Sequence, residues 1–441
     1  MDDQMKDDDL EETAVGRAPG KLYLAGEYAV VEPGHRAIVV AVNRFLDVRI
    51  HASDFEARQG SLQSNRFTRS RVQWHRSHDT IVVDSADQSG WGFIINAIRV
   101  VERFAVEAGK SLRYCDISVS SGLDDASGKK YGLGSSGAVT VATVQALCDF
   151  YHLEIGEMER YKLAFLAANE VQPSGSGGDI AAGTFQGCIA YSSPDHEWIA
   201  ARVGHDAQTE TLQRAATSGG IDRTGLDRRS GEVSGIARLI GMDWPGLSIE
   251  RLPVPSDMTF LVGWTGAPAS TPELVANVQY SVHGGDIPDQ GFAAESGDVS
   301  ERVRGTDGKS HGSPALGLGD AMETSKERYG RFVCDSDACV TAMADAFRRG
   351  DVSAIQTQIR AARRILLSLT DITGTIVETR ALNDLVRIAQ SHGAAAKSSG
   401  AGGGDCGIAI GGPEVDSDAI RADWNACGIE ALDLHISTGD E

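Results

Sequence analysis

The strongest constraint on this chain is the run Lys129-Lys130-Tyr131-Gly132-Leu133-Gly134-Ser135-Ser136-Gly137, set directly before a helical pattern. From Ala138 to Tyr151 the apolar residues Val141, Val144, Leu147, Cys148 and Tyr151 recur with the period of a buried helix face. Glycines let a backbone turn tightly and approach a ligand with no Cβ in the way. The first turn of a helix leaves N–H groups unpaired at the positive end of its dipole, so loop and helix together form a cradle for an anion. Ser135 and Ser136 can cap that helix or place a hydroxyl on a phosphate-bound Mg²⁺. No Lys-Ser/Thr follows the last glycine, so this is not a Walker loop.

An anion site here works against the chain's own charge, since 62 acidic residues outnumber 41 basic ones for a formal net charge of −21. That balance argues against nonspecific nucleic-acid binding, which needs a basic footprint. Phosphates must instead meet a local island of lysines, arginines and backbone N–H groups. Three further segments fit that need. Ser398-Ser399-Gly400-Ala401-Gly402-Gly403-Gly404-Asp405 lies between a helix and the apolar strand Cys406–Ile410, with Lys397 beside it. A flexible linker does not normally sit in that position, and such glycine density suits close backbone approach to phosphate. Pro19-Gly20-Lys21-Leu22-Tyr23-Leu24-Ala25-Gly26-Glu27-Tyr28 joins a lysine to a strand-like run, although a lone lysine is usually a solvated surface residue. In Pro173-Ser174-Gly175-Ser176-Gly177-Gly178-Asp179 an acid closes a Ser/Gly loop; the bland alternative is an Asp that caps the next helix.

At 441 residues two lobes are expected, 16–245 and 246–441, behind an acidic disordered tail over 1–15. Residues 1–12 hold seven acids and one lysine, unlike a signal peptide, and no apolar run reaches the roughly 18 residues of a membrane span. Seven scattered cysteines lack metal-knuckle or redox spacing, and Cys148 and Cys188 sit in apolar settings, which fits a reducing cytoplasm. Residues 17–51 read as a strand, a turn and two strands, with Leu46, Val48 and Ile50 alternating against polar neighbours. Helices are expected over 91–108, 138–151, 157–170, 337–349, 351–370 and 374–392, and strands at Ile117–Ser121, Gly187–Ser192 and Phe260–Trp264. Residues 201–236 read as a surface excursion and 283–325 as a flexible insertion. Strands and helices mix without a regular βαβ rhythm, so the fold class is α+β.

The four loops, in this order, resemble the superfamily of galactokinase, homoserine kinase, mevalonate kinase and phosphomevalonate kinase. Segments 20–28, 128–137 and 397–407 are most similar to the phosphomevalonate kinases of bacteria, including the Lys-Lys before the central loop and the Asp-Cys after the late one. The resemblance implies a two-lobed α+β small-molecule kinase with ATP and acceptor in its cleft, Mg²⁺ as cofactor, and 5-phosphomevalonate as acceptor. It implies ATP binding by Lys129, Gly132, Leu133, Gly134, Ser135, Ser136 and Gly137, and a metal held by Ser136 and Glu170. Lys21, Asp179 and Lys130 take the catalytic positions; Tyr28, Ser176, Lys397, Ser399, Gly400, Ala401 and Gly402 take the acceptor. The alternatives are a mevalonate kinase, or another kinase of the superfamily, and a non-catalytic ATP-binding sensor. A monomer or homodimer is expected, with no nucleic-acid or membrane partner. A phosphate monoester has its second pKa near 6, so such an acceptor is already ionised at neutral pH and Asp179 is expected to position and stabilise rather than to act as base.

Overall fold

Burial along the first strand sets the architecture. In β1 (Thr13–Ala25) Ala14, Gly16 and Ala18 alternate inward with exposed Val15 and Arg17, after which nearly every residue is covered on both faces. β1 pairs antiparallel with β2 (Arg36–Ala52), with a bulge at Pro19/Gly20. The structure, a computed structural model, describes residues 13–53, 58–65, 71–77, 80–84, 89–125, 127–203, 235–283 and 324–437. β2 is one continuous strand where two were expected, because β1 templates it from end to end. Thr13 already belongs to β1, so the last three residues of the expected tail are strand; the rest of that tail lies outside the described residues.

The other edge of β2 is shared. β7 (Cys188–Ser192) takes residues 36–40, and β6 (Cys115–Ser121) takes 46–52. Beyond β6 follow β3 (Gly60–Ser64), β4 (Val72–Ser77) and β5 (Thr80–Val83), with β3–β6 the parallel pair; beyond β7 lies β8 (Ser248–Leu252). The helices α1 (Gly92–Glu107), α2 (Ser135–Phe150), α3 (Glu157–Asn169) and α4 (Gly178–Phe185) pack together over β1 and β2, and α5 (Ile236–Gly241) joins α1 and α3. α2 presses on β1 so closely that a Cβ at Gly16 would stand 1.8 Å from the Ala142 carbonyl oxygen.

A second antiparallel sheet runs in the order β10 (Ala395–Ser398), β11 (Cys406–Gly411), β9 (Thr259–Trp264), β12 (Glu430–Leu432). Because β8 still pairs with β7, the change of sheet falls between Leu252 and Thr259. Around it lie α6 (Thr271–His283), α7 (Ser325–Arg349), α8 (Val352–Thr373), α9 (Arg380–Ser391) and α10 (Ser417–Ala426). One apolar core spans both sheets, joining Leu22 and Val40 to Val262, Met343 and Ile408. The chain finally returns to the first sheet, where Ser437 donates its N–H to Ala41 O and accepts from Gly187 N–H. Cys148 and Cys188 are buried as expected. Among the described residues no helix is long and apolar enough to cross a membrane. Most of both expected insertions, 204–234 and 284–323, lies outside the described residues.

Two kinds of helix start bear on the site. Thr324, Asp351, Thr379 and Asp416 cap α7, α8, α9 and α10 through their side chains. α2 and α4 begin instead at left-handed glycines, Gly134 (φ 78°) and Gly177 (φ 77°), with no side-chain cap. In α4 the first-turn N–H groups of Gly178 and Ile180 turn to Ser176 Oγ and Asp179 Oδ1, whereas α2 has the uncapped glycine start that suits an anion.

Candidate active site

β1 builds the floor of the cleft. The backbone N–H of Lys21 donates to Leu133 O at 2.8 Å, which fastens the central glycine loop to the strand. Gly134 sits on the aliphatic stem of Lys21; a Cβ there would lie 2.9 Å from Lys21 Cε. Asp179, in the first turn of α4, leans on Gly137, where a Cβ would meet its Oδ2 at 2.5 Å. Its Oδ1 accepts the N–H of Ile180 at 3.0 Å. Burial pushes the Asp179 carboxyl above the usual carboxylate range, with Lys21 and the Ile180 N–H opposing that rise.

The opposite wall is made by two loops stitched to the same strand. The N–H of Tyr23 donates to Ser399 Oγ (2.8 Å), and its hydroxyl pairs with Ser176 Oγ (3.2 Å). Ser176 is held in turn by Gly178 N–H on its Oγ and by the Tyr191 and Ser193 hydroxyls on its carbonyl. A Cβ at Gly178 would stand 2.3 Å from the Tyr23 hydroxyl. Burial, with Asp179 nearby, raises the Tyr23 hydroxyl far above its ordinary pKa, so it stays a proton donor. Tyr28, at φ 63°, donates its hydroxyl to Ala401 O at 2.6 Å. The Lys21 ammonium stands 3.9 Å from where a Gly400 Cβ would be and 5.2 Å from the Tyr23 ring centre. Lys21, Asp179, Ser176, Ser399 and the two glycine loops are therefore drawn together.

One expectation is corrected and others refined. Lys397 is not available to an acceptor: it is 0% exposed, ion-paired with Glu27, and bonded to Ser398 O. All four residues of β10 are buried, so proximity to the glycine loop does not bring its side chain into the cleft. Glu170 is exposed at the C-terminal end of α3, and among the described residues no three His, Cys, Asp or Glu side chains group to hold a metal. Oxygen donors at the central loop include Ser136, in the first turn of α2, and the Asp179 carboxylate against Gly137. One carboxylate and one hydroxyl, completed by phosphates and water, suit Mg²⁺. Lys129 and Lys130 are exposed at the loop's mouth, and Ser135 begins α2.

Sequence reasoning assigned no role to Glu27, Tyr23, Asp405 or Cys406. Each lies inside a quoted segment, but what each touches is remote in sequence; Glu27 and Lys397 are 370 residues apart. The Cys406 Sγ donates to Tyr131 O at 3.0 Å, tying the late loop to the central one.

The family models for the GHMP kinases N terminal domain and GHMP kinases C terminal match residues 93–187 and 343–430. Phosphomevalonate kinase from Streptomyces sp. (strain CL190) is 36% identical over 437 residues, covering 96% of this chain and 97% of that one. Among solved structures, the Lin0012 protein from Listeria innocua aligns with TM-score 0.72 at 30% identity, over 97% of this chain and 100% of that one. Streptococcus pneumoniae phosphomevalonate kinase, in complex with phosphomevalonate and AMPPNP, has the same fold, with TM-score 0.68 at 24% identity over 96% and 99% of the two chains.

Proposed function

The chain belongs to the phosphomevalonate kinase branch of the GHMP kinases, and from that membership we propose that it transfers the γ-phosphoryl group of Mg²⁺-ATP to the phosphate of 5-phosphomevalonate, giving the 5-diphosphate and ADP. One observation carries the reading: the Lys21 ammonium stands between the phosphate loop at Gly134 and the late loop at Gly400, where two anions would converge.

The chemical problem is repulsion between polyanions, and proton removal is a minor part of it. The uncapped start of α2 and the glycine backbone take the nucleotide phosphates. Ser136 and Asp179 would hold Mg²⁺, which supplies charge neutralisation across the phosphate oxygens. Lys21 stabilises the charge that builds on the transferred group, and Lys130 adds a second positive charge at the cleft mouth. Ser176, Ser399 and the Tyr28-tethered Ala401 fix the acceptor's side of the cleft. Asp179 positions the metal and Lys21, because an acceptor with its second pKa near 6 arrives deprotonated.

Phosphorus NMR of the reaction tests this directly. With 5-phosphomevalonate and Mg²⁺-ATP, the monoester signal should be replaced by the coupled pair of an organic diphosphate in step with ADP. ADP formed without that pair would remove the assignment.

A further inference from the structure

Phosphoryl transfer so described leaves Asp405-Cys406, the end of the late glycine loop, without a part. Both side chains reach the neighbouring central loop. The Cys406 thiol is buried and donates to Tyr131 O. The Asp405 carboxyl lies on Gly132, where a Cβ would come within 2.4 Å of Cγ and 2.6 Å of Oδ2. Its Oδ1 accepts the N–H of Ala269 at 3.2 Å. The backbone of Asp405 has the left-handed φ of 52°, uncommon for a side-chain-bearing residue. That conformation is held by its own N–H to Ala267 O (2.7 Å) and by the Thr265 N–H and Oγ1 on its carbonyl (both 3.0 Å). A left-handed conformation held in place by so many contacts motivates a functional reading.

Charge sharpens the point. Burial raises the Asp405 carboxyl above the ordinary range, while the Ala269 N–H and then Lys21 and Lys130, the two lysines of the transfer site, act against that rise. A carboxylate beside a site for two polyanions weakens their attraction to it, so its presence requires another return.

We propose that Asp405 is a positioning residue that clasps the phosphate loop at Gly132, and so holds in register the loop residues on either side, Lys130 and the Leu133 carbonyl to which the Lys21 N–H donates, with Cys406 fixing the adjoining carbonyl of Tyr131. Nucleotide binding and turnover then respond differently to its removal. A purely structural residue would weaken both together.

The test uses the full chain, with AMPPNP affinity by calorimetry and turnover on 5-phosphomevalonate. Asp405→Asn keeps the Oδ1 acceptor and the shape but removes the charge. AMPPNP affinity should hold or tighten by up to about tenfold, because a negative charge has left an anion site, while turnover falls about 10- to 100-fold as the flanking lysines lose their alignment. Gly132→Ala drives a methyl into the Asp405 carboxyl and should weaken AMPPNP by about tenfold or more, since the loop itself is displaced. Cys406→Ser, which keeps a donor to Tyr131 O, should retain more turnover than Cys406→Ala. Asp405→Asn that leaves turnover within twofold, or that weakens AMPPNP in parallel with a lowered melting temperature, overturns the proposal. The turnover arm rests on the phosphomevalonate kinase reading, but the affinity contrast between Asp405→Asn and Gly132→Ala does not. A wild-type enzyme idle on 5-phosphomevalonate would therefore sink that reading alone, and the affinity contrast would still decide for or against the clasp.

Discussion

Replacing Lys21 by methionine isolates the charge at the centre of the cleft. The aliphatic stem is what packs on Gly134, and methionine reproduces most of that length, so the central loop keeps its support. The backbone bond from Lys21 N–H to Leu133 O is also untouched. On the proposed reading, what is lost is one positive charge beside the phosphoryl group in transfer. At a separation of about 4 Å and an effective dielectric of about 20, that interaction is worth about 4 kcal/mol, or about 10³ in rate, in line with the 10² to 10³ typical of a single charge-stabilising contact. Asp179→Asn is the comparison. It preserves the Ile180 contact and the packing on Gly137, and the ionised acceptor needs little base. Single-turnover rates from pH 6 to 9, with AMPPNP affinity measured separately, should show Lys21→Met about 10³ slower at every pH and Asp179→Asn keeping measurable turnover near neutrality. An asparagine variant inactive across the range, beside a mildly impaired methionine variant, would refute the division of roles.

Asp179→Asn should also change stability with a definite sign. The folded-state carboxyl titrates above its unfolded value, so its contribution is fully present at low pH and lost as pH rises through the folded pKa; the asparagine variant should melt higher than wild type at pH 7, with the gap closing below about pH 4 in thermal scans. Gly137→Ala places a methyl 2.5 Å from Asp179 Oδ2 at an ordinary helical position, so turnover should fall about 10²-fold from the displaced carboxyl while urea unfolding stays within about 1 kcal/mol of wild type. Lys397→Met strands Glu27, 4% exposed, as a buried unpaired carboxylate and should cost about 3–5 kcal/mol in urea unfolding, with Glu27→Gln in the same chain recovering much of it.

The parts of this molecule legible in sequence are those whose cause is local. Glycine density ahead of a 3.6-residue pattern marked the central loop and α2, and the apolar runs marked β7, β9 and β11. α4 went unread because an eight-residue helix offers about two turns of periodicity, hidden behind Gly177-Gly178. β3, β4 and β5 are short and polar-rich, and they are strands because β6 and each other complete their hydrogen bonding. Lys397 shows the limit most clearly. Nothing local states which way a strand residue points when both faces are covered, and the partner that decides it, Glu27, arrives from the far end of the chain. The Asp405 contact with Gly132 is hidden for the same reason.

The most direct measurement of the central claim is the ratio of kcat/KM for 5-phosphomevalonate to that for mevalonate, by coupled ADP release at saturating Mg²⁺-ATP. A cleft built to bring two anions together around Lys21 should favour the phosphorylated acceptor by on the order of 10³-fold or more, because a site made for a charged group rejects the analogue that lacks it. Equal specificity for the two acceptors, or a preference for mevalonate, would contradict the account.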